Sequence, residues 1–225
     1  MERLMPAGLA RTHDLIRLRE PLALAKAPLP SWVLPVLGRI PWVVVRRGHV
    51  SNGMILVGVR GMTRSHRFAS WVAAAEIADR LSPEDLTDSG HILSQQRKDA
   101  VPALAALDRV AGLLMRHGYP WGPGGSVGFE LATGEATATA MSDLDLILRQ
   151  DRRLELDEGI ALLDALTAAA APARIDVLLE TPSGGVSLAD FAATPALVLV
   201  RTPCGPRLSV DPWKIDANAL SEAAS

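Results

Sequence analysis

Cysteine is almost missing from this chain. Cys204 is its only one, so no internal disulfide can form, and the lone thiol reads as a bystander. No Gly-x-x-x-x-Gly-Lys-Ser/Thr stretch occurs, which excludes a Walker-type kinase. Long apolar runs are missing as well. The most apolar early run, Trp32 to Val45, is interrupted by Pro35, Gly38, Arg39 and Pro41 and cannot form a transmembrane helix. The opening Met-Glu-Arg-Leu-Met-Pro has no basic region followed by an apolar stretch, so no secretion signal is expected. A reducing, cytoplasmic setting without a membrane partner fits these absences.

Acid is missing from a long window. Pro21 to Ala75 holds no Asp or Glu but contains Lys26, Arg39, Arg46, Arg47, Arg60, Arg64 and Arg67, a charge of +7. The whole chain is −2, so the other 170 residues carry −9. A net charge of −2 argues against a general nucleic-acid binder. The basic window reads either as a surface facing a polyanion or as arginines scattered around a small domain and paired to carboxylates elsewhere.

What the chain does have is 48% apolar residues, enough for a real core, and one stretch that carries chemistry. Trp121 to Leu148 runs Trp-Gly-Pro-Gly-Gly-Ser-Val-Gly-Phe-Glu, an insert, then Ser-Asp-Leu-Asp-Leu-Ile-Leu. Gly125 and Ser126 form a turn whose backbone N–H groups can cradle phosphate. Asp143 and Asp145 alternate with Leu144, Leu146 and Leu148. On a strand the carboxylates then share one face, ~6.6 Å apart, and the leucines point into a core. Carboxylate-held Mg²⁺ usually completes its octahedron with phosphate oxygens and water, so the pattern suggests nucleotidyl or phosphoryl transfer. A solvated Asp-x-Asp at a strand end is the plain alternative.

Around this stretch, His13 to Leu18 reads as an early strand or turn, and residues 21–41 as an irregular crossing segment. Pro41 to Arg47 and Met54 to Arg60 read as a hairpin turned at Asn52-Gly53. Phe68, Trp71, Val72, Ala75, Ile77 and Ala78 suggest the apolar face of a helix. Ser82-Pro83-Glu84-Asp85 resembles a helix start, and Thr87-Asp88-Ser89-Gly90 a domain boundary. A helix is expected from about Asp99 to His117, with Met115 on its apolar face and Gly118 ending it. Another is expected over Asp157 to Ala171. Strands are expected at Arg174–Glu180 and Ala196–Thr202, with a tight turn at Ser183-Gly-Gly185 and a last extended piece from Arg207 to Trp213. Asp176 interrupts an apolar strand, which is costly if buried unless the charge is paired or binds metal; Arg174, two positions away, is the local pairing alternative.

With Gly125-Ser126, Asp143-x-Asp145 and Asp176 in place, the C-terminal half resembles the nucleotidyltransferase superfamily. Two departures are visible. Gly124 stands where an apolar residue is usual. The gap from Ser126 to Asp143 is also long, so an insert of about Phe129 to Thr139 is expected to loop out. That insert, together with His13-Asp14-Leu15, the Arg46-Arg47 pair, Val59-Arg60-Gly61 with Arg64 and Arg67, Val200-Arg-Thr202 and Gly205-Pro-Arg-Leu208, resembles a narrower family. It is the phosphoribosyl-dephospho-CoA transferase of malonate decarboxylase, or holo-acyl-carrier-protein synthase, MdcG.

The resemblance implies an α+β fold: a small basic N-terminal α/β domain (residues 1–90) that binds substrate or partner, then a nucleotidyltransferase-like catalytic domain (91–225) with a mixed sheet and flanking helices. It implies that an acyl-carrier serine attacks 2′-(5″-triphosphoribosyl)-3′-dephospho-CoA and that diphosphate leaves. Asp143 and Asp145 would hold Mg²⁺, and Asp176 would be a third ligand or the base. Gly125 and Ser126 would grip the triphosphate. Arg46, Arg47 and Arg60 would meet substrate phosphates, or else form a contact surface for the carrier protein. The alternatives are the same chemistry on a citrate lyase carrier protein or on a small molecule with ATP, or a non-catalytic binding module on the same fold.

Overall fold

The computed structural model describes residues 10–24, 28–48, 53–61, 63, 65–88, 93–193 and 196–215. The chain divides into two compact units between Ser82 and Pro83. The expected boundary at Thr87-Asp88-Ser89-Gly90 runs into residues 89–92, outside the described residues, as do residues 49–52 of the turn that ends in Asn52-Gly53.

The first unit contains β1 (Leu15–Leu18), α1 (Val33–Arg39), β2 (Trp42–Val45), β3 (Met54–Arg60), β4 (Arg67–Ala73) and β5 (Ile77–Leu81). The strands form one antiparallel sheet in the order β4-β3-β2-β1-β5, and β2 pairs with β3 as the hairpin reading expected. Alternation decides the faces. Ile55, Val57 and Val59 of β3 are buried while Met54, Leu56, Gly58 and Arg60 lie on the opposite face. The buried set packs with Ile16, Val43, Val45 and Val72, and with Val33 and Leu37 from α1.

Two expectations are corrected here. The stretch from Phe68 to Ala78 is not a helix. It is β4, a 3₁₀ turn at Ala74–Glu76, and β5. Ser70 and Val72 are buried while Arg67, Ala69 and Trp71 are exposed, a period of two. β4 pairs with β3 along its whole length, so its backbone is satisfied by the neighbouring strand and its alternate side chains are buried. Residues 21–41, read as irregular, contain α1. Pro35 sits in its first turn, where the missing N–H has no intrahelical partner to lose.

The second unit contains α2 (Asp85–Asp88), α3 (Gln95–Ala100), α4 (Pro102–His117), β6 (Trp121–Pro123), α5 (Gly125–Thr133), β7 (Leu144–Arg149), α6 (Leu156–Ala170), β8 (Ile175–Thr181), β9 (Gly184–Ser187), α7 (Leu188–Ala192), β10 (Val198–Thr202) and β11 (Gly205–Ser209). Its six strands form a mixed sheet in the order β11-β10-β9-β8-β7-β6, in which only β7 and β8 are parallel. A parallel pair needs a crossover, and α6 supplies it. The α+β class and the mixed sheet with flanking helices are as expected.

The helix expected from about Asp99 to His117 is α4, which begins with Pro102 in its first turn; a separate short helix, α3, precedes it, capped by the Ser94 hydroxyl that accepts from Arg97 N at 3.2 Å. Gly118 ends α4 at φ 69° as read from sequence. Leu114 is fully buried but Met115, expected on the apolar face, is 77% exposed. The core holds Leu104 and Val110 of α4, Leu144, Leu146 and Leu148 of β7, Leu166 of α6 and Leu179 of β8. Burying each such side chain contributes roughly 1.5–3 kcal/mol. No helix among the described residues is long and apolar enough to cross a membrane.

Candidate active site

The parallel register of β7 and β8 brings the carboxylates together. Leu144, Leu146 and Leu148 oppose Ile175, Val177 and Leu179 on the core face. Asp145 therefore opposes Asp176 on the other face, at the strand spacing of about 4.8 Å. Asp145 is half-buried and Asp176 exposed. The burial implied for Asp176 by its apolar neighbours in sequence is thus not found, and no desolvation cost arises there. Asp143 lies just ahead of β7. The local pair expected between Arg174 and Asp176 is replaced by another: Arg174 Nε and Nη2 both donate to Asp143 Oδ1 at 2.8 Å.

The glycine turn lies on Asp145. Gly124 N donates to Asp145 O at 2.8 Å, which ties the turn to β7. Gly125 has φ +54°, and a Cβ there would sit 1.6 Å from Asp145 Oδ2. Only glycine lets the backbone take that conformation and lie directly on the carboxylate. Helix α5 starts at Gly125, so Ser126 is in its first turn, where N–H groups have no intrahelical acceptor and the helix dipole favours an anion. Gly128 brings α5 down onto β6, since a Cβ there would lie 2.3 Å from Pro123 O.

The insert does not loop out. Phe129 to Thr133 are the last turns of α5, and residues 134–139 are tied back to it. Glu130, almost fully buried, accepts from Thr137 N at 3.0 Å and Ala138 N at 2.8 Å. It also receives both arms of Arg97 from α3, Nε on Oε1 and Nη2 on Oε2, each at 2.9 Å. Arg97 Nη2 also donates to Ala138 O at 2.9 Å. Thr137 Oγ1 donates to Ser126 O at 2.9 Å. Burial pushes the Glu130 carboxyl up, but Arg97 and the two backbone N–H groups outweigh it and hold it below its ordinary range. This clamp fixes the path from the glycine turn to Asp143.

In the second unit Gly125 lies on Asp145, Asp176 opposes Asp145, Ser126 follows in the first turn of α5, and Asp143, held by Arg174, lies just ahead of β7. Arg46, Arg47 and Arg60 belong to the first unit. There Arg46 is exposed and its side chain lies across Gly58, with its Cδ 3.3 Å from where a Gly58 Cβ would be. Arg60 opposes Arg67 across β3 and β4. Arg47 follows β2 and is half-buried. Among the described residues no three carboxylate, imidazole or thiol groups converge into a ready-made metal cluster. The donor set still fits Mg²⁺, which is usually held by one or two carboxylates plus phosphate oxygens and waters, with no dedicated protein cage.

Two family models match this chain along nearly its whole length. The phosphoribosyl-dephospho-CoA transferase MdcG N-terminal domain matches residues 11–83, and the C-terminal domain of the same family matches residues 91–212. The chain belongs to the phosphoribosyl-dephospho-CoA transferase MdcG family. Family members that it resembles are named phosphoribosyl-dephospho-CoA transferase. One from Pseudomonas putida is 41% identical over 205 residues, 91% of this chain and 96% of the relative. One from Azotobacter vinelandii is 41% identical over 192 residues, 84% of this chain and 87% of the relative. One from Pseudomonas aeruginosa is 39% identical over 212 residues, 90% and 93% respectively. No solved structure matches.

Two site features of this family member escape a reading by sequence pattern. Arg174 was legible only as a partner for Asp176, because its contact with Asp143 depends on β7 and β8 pairing in parallel. Glu130 did carry a signal: an acid between Phe129 and Leu131 in an apolar helix needs a buried partner.

Proposed function

We propose that the chain transfers the phosphoribosyl-dephospho-CoA group from 2′-(5″-triphosphoribosyl)-3′-dephospho-CoA to a serine of the apo acyl-carrier subunit of malonate decarboxylase, in the cytoplasm, and releases diphosphate. The observation that carries this reading is the Gly125-Ser126 turn lying on Asp145, with Asp176 in register beside that carboxylate. Together they combine an anion-binding helix start with carboxylates suited to a divalent ion. This combination supports a nucleotidyl-transfer reading of the site.

In this mechanism the first turn of α5 holds the triphosphate tail through backbone N–H groups. Asp143 and Asp145 would hold Mg²⁺, with Asp176 available either as a third ligand or as the base. When bound there, the ion would supply neutralisation of the charge on the departing diphosphate. The serine Oγ forms its bond to the α-phosphorus as the bond from that phosphorus to the bridging oxygen of diphosphate breaks. The serine proton goes to a carboxylate, for which Asp176, exposed and facing Asp145, is placed unless it is taken up as a third ligand. Arg46, Arg47 and Arg60 are assigned to substrate phosphates because guanidinium meets phosphate with two parallel hydrogen bonds.

The test is a mass measurement. The protein is mixed with Mg²⁺, the triphosphoribosyl substrate and apo carrier subunit, and the carrier is weighed intact. The carrier should gain one phosphoribosyl-dephospho-CoA, and Asp143→Ala and Asp145→Ala should abolish the gain. An unchanged carrier, with a nucleotidylated acceptor appearing in a parallel incubation with ATP, would overturn the substrate assignment and keep the reaction class.

A further inference from the structure

The register that sets Asp145 beside Asp176 also sets Arg174 beside Asp143, two residues earlier on the same face. Both donors of Arg174 converge on Asp143 Oδ1. The two side chains are 74% and 32% exposed. An ion pair this exposed contributes little to stability, so little opposes its opening. It nevertheless places a guanidinium at the edge of a site assigned to a polyanion. A phosphate chain offers that guanidinium more negative charge than one carboxylate oxygen does, and it fits the fork geometry.

We propose that Arg174 exchanges partners during substrate binding. It leaves Asp143 to a divalent ion and turns to the non-reacting phosphates of the triphosphate. Arg174 is then a substrate-binding residue and, until substrate arrives, a placeholder cation on Asp143. The inference rests on the functional reading above and adds to it a residue and a sequence of contacts.

The exchange predicts effects of opposite sign from one substitution. In Arg174→Ala, Asp143 loses its competing cation, so a divalent ion alone binds more tightly. The same variant loses a phosphate donor, so polyphosphate binds less tightly. The side chain is exposed, so the fold is expected to stand, and a thermal melt checks this.

Mn²⁺ binding is followed by electron paramagnetic resonance, and tripolyphosphate binding by calorimetry at saturating Mn²⁺. Arg174→Ala is expected to bind Mn²⁺ about threefold tighter, the scale of an exposed pair. It should bind tripolyphosphate about tenfold weaker, the scale of one charged hydrogen bond. Arg174→Lys should recover part of the second effect. Wild-type protein that binds both probes, with an Arg174→Ala variant that matches it or shifts both affinities the same way, overturns the exchange and leaves the functional reading standing. Wild-type protein that binds neither probe overturns both.

Discussion

Glu130 and Arg97 meet fork to fork, both nitrogen–oxygen distances 2.9 Å, on the side chain that also receives the backbone of Thr137 and Ala138. Glu130→Gln should therefore destabilise the protein by about 2–3 kcal/mol, because loss of the buried carboxylate's charge leaves the partly buried Arg97 under-compensated. The Glu130 carboxyl is held below its ordinary range. Its stabilisation is present above the unfolded carboxylate value of ~4.3 and is lost as pH falls through the lower folded value. The difference in melting temperature between wild type and Glu130→Gln should be full at neutral pH and shrink in acid. A constant difference would mean the clamp is not ionic.

Gly125→Ala separates stability from chemistry. The left-handed backbone costs a non-glycine residue roughly 1–2 kcal/mol. The new Cβ also cannot coexist with Asp145 Oδ2 where it lies now, 1.6 Å away. Displacing that carboxylate by about 1 Å is expected to slow carrier modification about 100-fold. Near-normal transfer by a folded variant would show that Asp145 does not act from its observed position.

The core and surface of neighbouring residues should respond very differently. Leu146→Ala removes a fully buried side chain and should cost about 2–5 kcal/mol. Met115→Ala, at a position 77% exposed, should stay within about 0.5 kcal/mol of wild type. Chemical denaturation of both variants reads the contrast.

The chain has one tyrosine, so the rise in ultraviolet absorbance on tyrosinate formation reports Tyr119 alone. Burial and its hydrogen bond to Glu158 push this phenol up to about 12. Its neutral form should persist at pH 10, where a free tyrosine is half ionised. The contribution to stability is whole below the unfolded value of ~10 and is lost as pH rises towards the folded one. Glu158→Gln should move the titration back down. Half-ionisation near pH 10 in the wild type would contradict the arrangement.

The parts legible in the sequence are those set by short-range pattern. Leu144, Leu146 and Leu148 announced a strand with one buried face. Gly118 announced a helix end, and the mixed sheet was implied by the family resemblance. The stretch from Phe68 to Ala78 misled because six apolar residues fit a helical face as well as a half-buried strand. Pairing with β3, which no local pattern encodes, settled it. In the site, the spacing of Asp143 and Asp145 was visible locally. The place of Asp176 opposite Asp145, the diversion of Arg174 to Asp143, and the folding of the insert around Glu130 all depend on contacts between distant segments.

Cys204 lies in the turn between β10 and β11, at the edge of the sheet, with β9 and β8 between it and the strand that carries Asp145. The protein thus comes with a single natural attachment point for a thiol-directed fluorophore, set apart from the carboxylates. A dye placed there can report the arrival of a labelled protein partner by energy transfer without adding or deleting a cysteine.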